Sequence, residues 1–231
     1  MEWTSRLTEG RLVRRYKRFL ADVALADGRT VTAHVPNTGS MLGTRAPGSA
    51  VALSRSDSPA RKLKWTLELV MSGGCWVGVN TSRTNRMVEE AILARRLGPL
   101  RGYGSLRREV RYGERSRIDL LLEDGDRLCY VEVKNVTYRV GKRALFPDAV
   151  TERGAKHLRE LRRMVVEGHR GVVLFLVNRD DCSSMGPADE IDPRYGRLLR
   201  EVVEQGVEAM AYRVVNTLEG SSIDRKLRVV L

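Results

Sequence analysis

An Asp124-Gly125 pair between two short apolar runs does most to constrain what this chain can fold into, because Asp-Gly flanked by alternating hydrophobics is the strongest short-range signal for a β-hairpin. The first run reads Arg117-Ile118-Asp119-Leu120-Leu121-Leu122 and the second Leu128-Cys129-Tyr130-Val131-Glu132-Val133. Paired antiparallel about that turn, Asp119 falls opposite Tyr130 and Arg117 opposite Glu132. Asp119 and Glu132 then become diagonal neighbours on one face, roughly 7 to 8 Å apart. Lys134 joins the same face two residues on. Ile118, Leu120, Leu122, Val131 and Val133 occupy the opposite face, so the sheet has a surface to bury while the acidic face stays open.

Two carboxylates so placed can share one hard cation, Mg²⁺ or Mn²⁺, which takes oxygen ligands and keeps several waters. The cation would lower the pKa of a water and stabilise charge on a phosphate, while the Lys134 ammonium orients that water or assists its deprotonation. Asp119, Glu132 and Lys134 are therefore the candidate catalytic residues for phosphodiester hydrolysis. Spacing alone is met equally well by a surface hairpin whose acids pair with Arg115, Arg117 and Lys134.

Charge narrows the substrate. The 41 Lys and Arg against 29 Asp and Glu give a formal net charge of +12 over 231 residues, which favours a polyanionic partner, nucleic acid above all. Cys75, Cys129 and Cys182 are odd in number and far apart, so they read as small buried hydrophobes in a reducing compartment. His34, His157 and His169 have no partner at zinc-ligand spacing and are expected to be structural. The first residues lead into charge rather than an apolar signal core, and no apolar run reaches the roughly 18 residues of a membrane span. A soluble, cytoplasmic protein with no membrane partner is expected.

The texture changes near residue 80. Before it, runs at 12–13, 19–25, 30–35, 50–53, 65–71 and 76–79 are separated by Asp27-Gly28, Pro36-Asn37-Thr38-Gly39, Pro47-Gly48 and Ser72-Gly73-Gly74, which predicts a small β-barrel of the OB type over residues 1–80. Arg11, Arg14, Arg15, Lys17 and Arg18, with Tyr16 and Phe19 interleaved, suit phosphate contacts and base stacking, or equally an amphipathic first strand. After it, the pattern predicts a helix over 83–97 capped by Thr81-Ser82, the acidic hairpin, a helix over 148–167, a buried strand over 171–177, a helix over 193–205 and a last strand near 207–215. Residues 81–231 thus read as an α/β domain whose mixed sheet is flanked by helices and leaves an edge cleft for the acids.

Arg15-Tyr16-Lys17-Arg18-Phe19-Leu20, Pro36-Asn37-Thr38-Gly39-Ser40-Met41, Arg115-Ser116-Arg117-Ile118-Asp119, Glu132-Val133-Lys134-Asn135-Val136-Thr137, Phe146-Pro147-Asp148-Ala149-Val150-Thr151-Glu152-Arg153-Gly154 and Lys156-His157-Leu158-Arg159-Glu160-Leu161 closely resemble the sugar fermentation stimulation protein (SfsA) family across nearly the whole chain. The resemblance implies an N-terminal OB-like barrel and a C-terminal domain similar to the PD-(D/E)xK nuclease superfamily. It further implies Asp119 and Glu132 as metal-binding acids, the Val133 carbonyl as another ligand, Lys134 as the catalytic lysine and Glu90, with Glu89 its rival, as the completing acid. Asp148 and Glu152 lie i, i+4 apart and serve either a second cation or, as preferred, a helix N-terminus. Arg14, Arg15, Lys17, Arg18, Arg115 and Arg117 are the expected nucleic-acid contacts.

The chain departs from the family pattern at Val35, where Cys is usual, and at Ala155, where Gln is common; an aromatic near Met185 is also missing. The Ala155 change puts a phosphate or water contact in doubt, and His157, about 200° around the helix, cannot simply replace it. Two functions follow from the resemblance: a Mg²⁺-dependent nuclease acting on DNA, favoured over RNA, or a non-catalytic DNA-binding regulator of maltose-type sugar-metabolism genes. The intact Asp, Glu and Lys set favours the first. Related frames often pair, so a homodimer is open, although no exposed apolar stripe marks an interface.

Overall fold

A computed structural model of the chain describes residues 1–113 and 116–231. Six strands come first: β1 (Thr8–Tyr16), β2 (Leu20–Leu25), β3 (Thr30–His34), β4 (Ala50–Arg55), β5 (Trp65–Ser72) and β6 (Cys75–Gly78). They pair in the order β3-β2-β1-β4-β5-β6, and a parallel β3–β5 pairing closes the first five into a barrel. Closure removes the open edges that would otherwise invite pairing with other chains. Alternate residues of each strand point inward, so Leu12, Ala21, Val23, Ala33, Val51, Leu53, Leu67 and Val70 form one buried core. This is the expected five-stranded OB barrel, with β6 as an added hairpin partner of β5.

The rest of the chain builds a nine-stranded mixed sheet. A 3₁₀ turn (Thr81–Arg83) leads into α1 (Thr84–Leu93), followed by β7 (Ser105–Tyr112), β8 (Ser116–Asp124), β9 (Arg127–Val136), β10 (Arg139–Val140), β11 (Arg143–Phe146), α2 (Glu152–Val166), β12 (Arg170–Val177), β13 (Ser184–Pro187), α3 (Pro193–Glu204), β14 (Glu208–Asn216) and β15 (Ser221–Val229). The order is β10-β11-β13-β15-β14-β12-β9-β8-β7. The parallel β9-β12-β14 centre explains the continuous apolar run of β12, whose residues Val172 to Val177 are all buried because helices cover both faces. On one face α1 packs through Met87, Val88 and Ala91, and the other face carries α2 and α3 through Leu158, Leu161, Tyr195 and Leu199.

Several boundaries differ from expectation for identifiable reasons. The hairpin turn is centred on Gly125-Asp126, with Asp124 paired to Arg127 and Leu120 to Val131; Gly125 has φ 58, so the glycine takes the first central position, as a type II′ turn requires. The register is two residues from the expected one, which keeps every side chain on its face but puts Asp119 level with Glu132 rather than diagonal to it. The acidic face is not open. Glu132 is 2% exposed because α2 lies over it. Nor are the acids at a sheet edge, since β7 pairs outside β8. Asn80 caps the 3₁₀ turn that leads into α1, its side chain accepting from the Ser82 amide at 3.0 Å, while α1 itself has Arg83 at its N-cap with no side-chain cap bond; α2 begins at Glu152 rather than Asp148 because Thr151 caps it, accepting from the Gly154 amide at 3.0 Å.

The barrel and the sheet are joined by buried polar contacts. The Arg179 guanidinium, 1% exposed, donates to Asp181 at 2.6 and 2.7 Å, to the Thr137 carbonyl at 2.7 Å and to the barrel carbonyl of Ser72 at 3.3 Å. Glu68 of β5, also 1% exposed, accepts from Arg83 at 2.7 and 2.8 Å, Asn80 at 2.8 Å and Ser54 at 2.6 Å. A buried carboxylate is tolerated only when paired and hydrogen-bonded in this manner. All three cysteines are free and buried, as expected of small apolar side chains.

Candidate functional site

The β8–β9 ladder ends at Leu120 opposite Val131, while β8 continues to pair with β7 through Ile118 and Arg117. The two strands therefore part just where the acids sit. Into the gap turns the Asp119 carboxylate, whose Oδ2 accepts the Val133 amide at 2.7 Å and whose Oδ1 accepts Asn85 Nδ2 of α1 at 2.8 Å. The N–H and C=O of one strand residue lie along the same edge, so the Val133 carbonyl also faces the gap.

Glu132 is held from the other side. Its Oε1 accepts Lys134 Nζ at 2.6 Å and meets His157 Nδ1 of α2, and Lys134 Nζ lies 3.4 Å from the same imidazole nitrogen. Its Oε2 is buried with no hydrogen-bond partner, as are the hydroxyls of Tyr112 and Tyr195. A buried carboxylate oxygen with no donor is costly. Burial pushes Glu132 up, but the Lys134 and His157 side chains together bring its carboxyl below the ordinary glutamate value. Asp119 moves the opposite way: burial and the neighbouring Glu132 charge raise it to about 6, against the pull of the Val133 amide, Asn85 and Lys134. Burial and the nearby carboxylates also push the Tyr112 and Tyr195 phenols up.

As a ligand set, Asp119, the free oxygen of Glu132 and the Val133 carbonyl are all hard oxygen donors, the kind that suit Mg²⁺, Mn²⁺ or Ca²⁺ rather than zinc. Asp119, bonded by an amide and an asparagine rather than by a cationic side chain, and the donorless Glu132 oxygen are where the charge of a cation would be met. Among the described residues no three His, Cys, Asp or Glu side chains cluster as a complete metal cage, so water would complete the coordination.

Beside the acids opens a cleft of about 440 Å³, lined by Asn85, Val133 and Lys134 on one wall and by Arg18, Asn37, Thr38 and Gly39 of the barrel on the other, with Asp148, Val150 and Arg153 at its floor and rim. The barrel wall is fixed at both ends. Thr81 Oγ1 donates to the Pro36 carbonyl at 2.6 Å, and at the far end the Met41 amide donates to Asp148 Oδ2 at 2.8 Å while Ser40 Oγ donates to the Asp148 carbonyl at 2.5 Å.

Of the residues expected from sequence, Asp119, Glu132, Val133 and Lys134 come together. Glu90 does not join them, because its carboxylate pairs with Arg86 at 2.9 Å, one turn back along α1, and Glu89 pairs with Arg108 at 3.3 Å; the α1 residue that reaches the site is Asn85. Asp148 pins the barrel loop instead of capping a helix, and Glu152 is exposed in the first turn of α2. Arg15 is consumed structurally, its Nη2 donating to the carbonyls of Arg18, Asn37 and Gly39 at 2.5, 3.0 and 2.8 Å. Arg14 pairs with Asp22 at 2.8 Å. Lys17, Arg18 and Arg117 remain exposed, and Arg115 lies outside the described residues. Sequence reasoning missed Asn85 and His157; the signal available was a polar residue within an otherwise buried helical stripe.

Among the described residues no helix is long and apolar enough to cross a membrane. Residues 13–79 match the family model described as "SfsA N-terminal OB domain" and residues 82–220 the one described as "Sugar fermentation stimulation protein RE domain". A sugar fermentation stimulation protein homolog from Geobacter metallireducens is 60% identical over 226 residues, 97% of each chain, and one from Rhodospirillum centenum is 55% identical over 231 residues, 99% of each. The structure of Pyrococcus furiosus SfsA in complex with Ca²⁺ is 28% identical, covers 100% of this chain and 98% of its own, and superposes with a TM-score of 0.92. With two family models in tandem along it and relatives alike from end to end, this chain belongs to the sugar fermentation stimulation protein family.

Proposed function

We propose that the protein is a divalent-metal-dependent nuclease that hydrolyses phosphodiester bonds in nucleic acid, DNA in preference to RNA, using a site of the PD-(D/E)xK type. The observation that carries this reading is the parted β8–β9 ladder, with the Asp119 carboxylate turned into the gap and Glu132, one of its oxygens unpartnered, level with it on the next strand beside Lys134. A pure binding protein has no use for acids facing a phosphate, which they would repel. The complex of the Pyrococcus furiosus relative with Ca²⁺ is in keeping with a hard-cation site.

Asp119, Glu132 and the Val133 carbonyl would hold Mg²⁺ or Mn²⁺. When bound, the cation supplies a water of lowered pKa and neutralises charge developing on the phosphate. The Lys134 ammonium, fixed by Glu132, is placed to donate to the attacking water or to a phosphate oxygen. His157 meets the same Glu132 oxygen as Lys134 and so leaves the other carboxylate oxygen without a donor. The barrel and the basic surface supply grip on the backbone.

The test is cleavage of labelled DNA and RNA with Mg²⁺, Mn²⁺ or EDTA, comparing the wild type with Asp119→Asn and Lys134→Ala while binding is recorded in the same samples. Metal-dependent cleavage lost in both variants with binding retained is expected. Salt-sensitive binding with no cleavage under any condition would leave a DNA-binding regulator on a nuclease-like frame.

A further inference from the structure

Resting on that nuclease reading, we propose that the cleft selects single-stranded nucleic acid, a free strand or an unpaired flap, and that Arg18 and Phe19 on the barrel lip are the residues that select it. Three independent observations converge on this lip.

The first is the shape of the cleft. Its volume of about 440 Å³ lies in the range of small-ligand pockets, which suits splayed single nucleotides better than a paired helix. The overhanging segment between Pro36 and Met41 is bonded to Thr81 at one end and to Asp148 at the other, and Arg15 holds its carbonyls between. The wall cannot swing aside without breaking these bonds, so a strand enters with its bases unpaired.

The second is what the lip offers. Arg14 and Arg15 are committed to Asp22 and to the loop carbonyls, which leaves Arg18 as the barrel cation lining the cleft. Phe19, the next residue along the chain, is 48% exposed, and Val150, which lines the cleft with Arg18, is 71% exposed. An exposed ring next in sequence to an exposed arginine supplies the two groups that bind unpaired bases without regard to sequence, one by stacking and the other by backbone attraction.

The third is strain. The three-residue β1–β2 turn holds Lys17 at φ 47 and Arg18 at φ 65, two consecutive non-glycine residues in the left-handed region, which glycine and asparagine enter most readily. Strained backbone persists where the surrounding structure enforces it and is concentrated at functional sites. Here the strain keeps two long cationic side chains at a turn whose geometry alone would be better served by Asn and Gly.

Binding is measured by fluorescence anisotropy in EDTA, so that no cleavage intervenes, with single-stranded, blunt-duplex and flap oligonucleotides in DNA and in RNA. The full chain is compared with Phe19→Leu, Phe19→Trp, Arg18→Asn and, as a remote control, Val166→Ala. Single strands and flaps are expected to bind at least about tenfold more tightly than the blunt duplex, with Phe19→Leu and Arg18→Asn each weakening single-strand binding about fivefold to tenfold. Phe19→Trp retains binding because it keeps a stacking ring, and Asn suits the positive φ at position 18. Equal affinity for single strand and blunt duplex, or wild-type single-strand affinity in both Phe19→Leu and Arg18→Asn, overturns the inference. Cleavage in Mg²⁺ is then scored separately. The expected binding pattern without cleavage overturns the nuclease reading and leaves the single-strand lip standing, whereas blunt-duplex cleavage as fast as single-strand cleavage overturns the lip and leaves the nuclease.

Discussion

Asp119 takes the place of a strand in front of Val133: its Oδ2 accepts the Val133 amide at 2.7 Å where a β8 backbone carbonyl would otherwise do so. One carboxylate thus ends a ladder and opens a site. The same group carries a raised proton affinity, about 6 against an ordinary 3.8, from burial and from Glu132.

The sign of the resulting pH dependence follows directly. The folded protein favours the neutral acid, so Asp119 contributes stability below about pH 4 that is lost as pH rises through about 6, and the metal-free protein carries that loss at neutral pH. A bound cation competes with the proton. The rise in Tm on adding Mg²⁺ or Mn²⁺ is therefore expected to be large at pH 8 and small at pH 5, with affinity falling about tenfold per unit below pH 6. Calorimetric titration across this range checks it, and an affinity independent of pH would contradict it.

Glu68→Ala is expected to cost about 3–5 kcal/mol, because it leaves the Arg83 guanidinium and the Asn80 amide without their acceptor in a buried site. Chemical denaturation at pH 7 measures it. A cost under about 1 kcal/mol would place the pair among weak surface salt bridges instead.

Asp148→Ala releases the amide of Met41 and the far end of the cleft wall. About 1–2 kcal/mol of stability goes with the lost charge-assisted bond, and hydrogen exchange at the Met41 amide quickens. Under the proposed selection the variant also gains duplex cleavage relative to single strand, a change in the ratio of kcat/KM values and not in the chemistry.

Replacing Lys17 with Asn and Arg18 with Gly relieves the strained turn. Stability is expected to rise by about 1 kcal/mol, or about 2–4 °C in Tm for a chain of this size, while single-strand affinity falls. Gain in one and loss in the other, measured on the same preparation, would mark the turn as held for function.

How far the site could be read in advance depended on which force set each residue. The acid face was legible because strand alternation has a period of two, and a two-residue change of register leaves Asp119, Glu132 and Lys134 together. The buried run of β12 was legible because only a doubly covered strand is continuously apolar. The role of Glu90 was not legible, since adjacent helix positions differ by about 100° and the choice among Asn85, Glu89 and Glu90 depends on how α1 is rotated on the sheet. Arg15 and Arg18 are likewise indistinguishable by composition; one is bent back onto carbonyls and the other is left free by a turn conformation that no propensity favours. The short strands β10, β11 and β13 carry too few residues for any period to show, and β7 and β15 are rich in exposed charge.

The Arg179 guanidinium, sealed between the Ser72 carbonyl of the barrel and the Thr137 carbonyl of the sheet, has a thermodynamic consequence. The barrel cannot melt while the sheet stands without uncovering that charge and removing one of its four hydrogen bonds. Heat should therefore dissolve both in a single transition, with calorimetric and van't Hoff enthalpies that agree, and no half-folded species is left exposing unpaired strand edges to its neighbours.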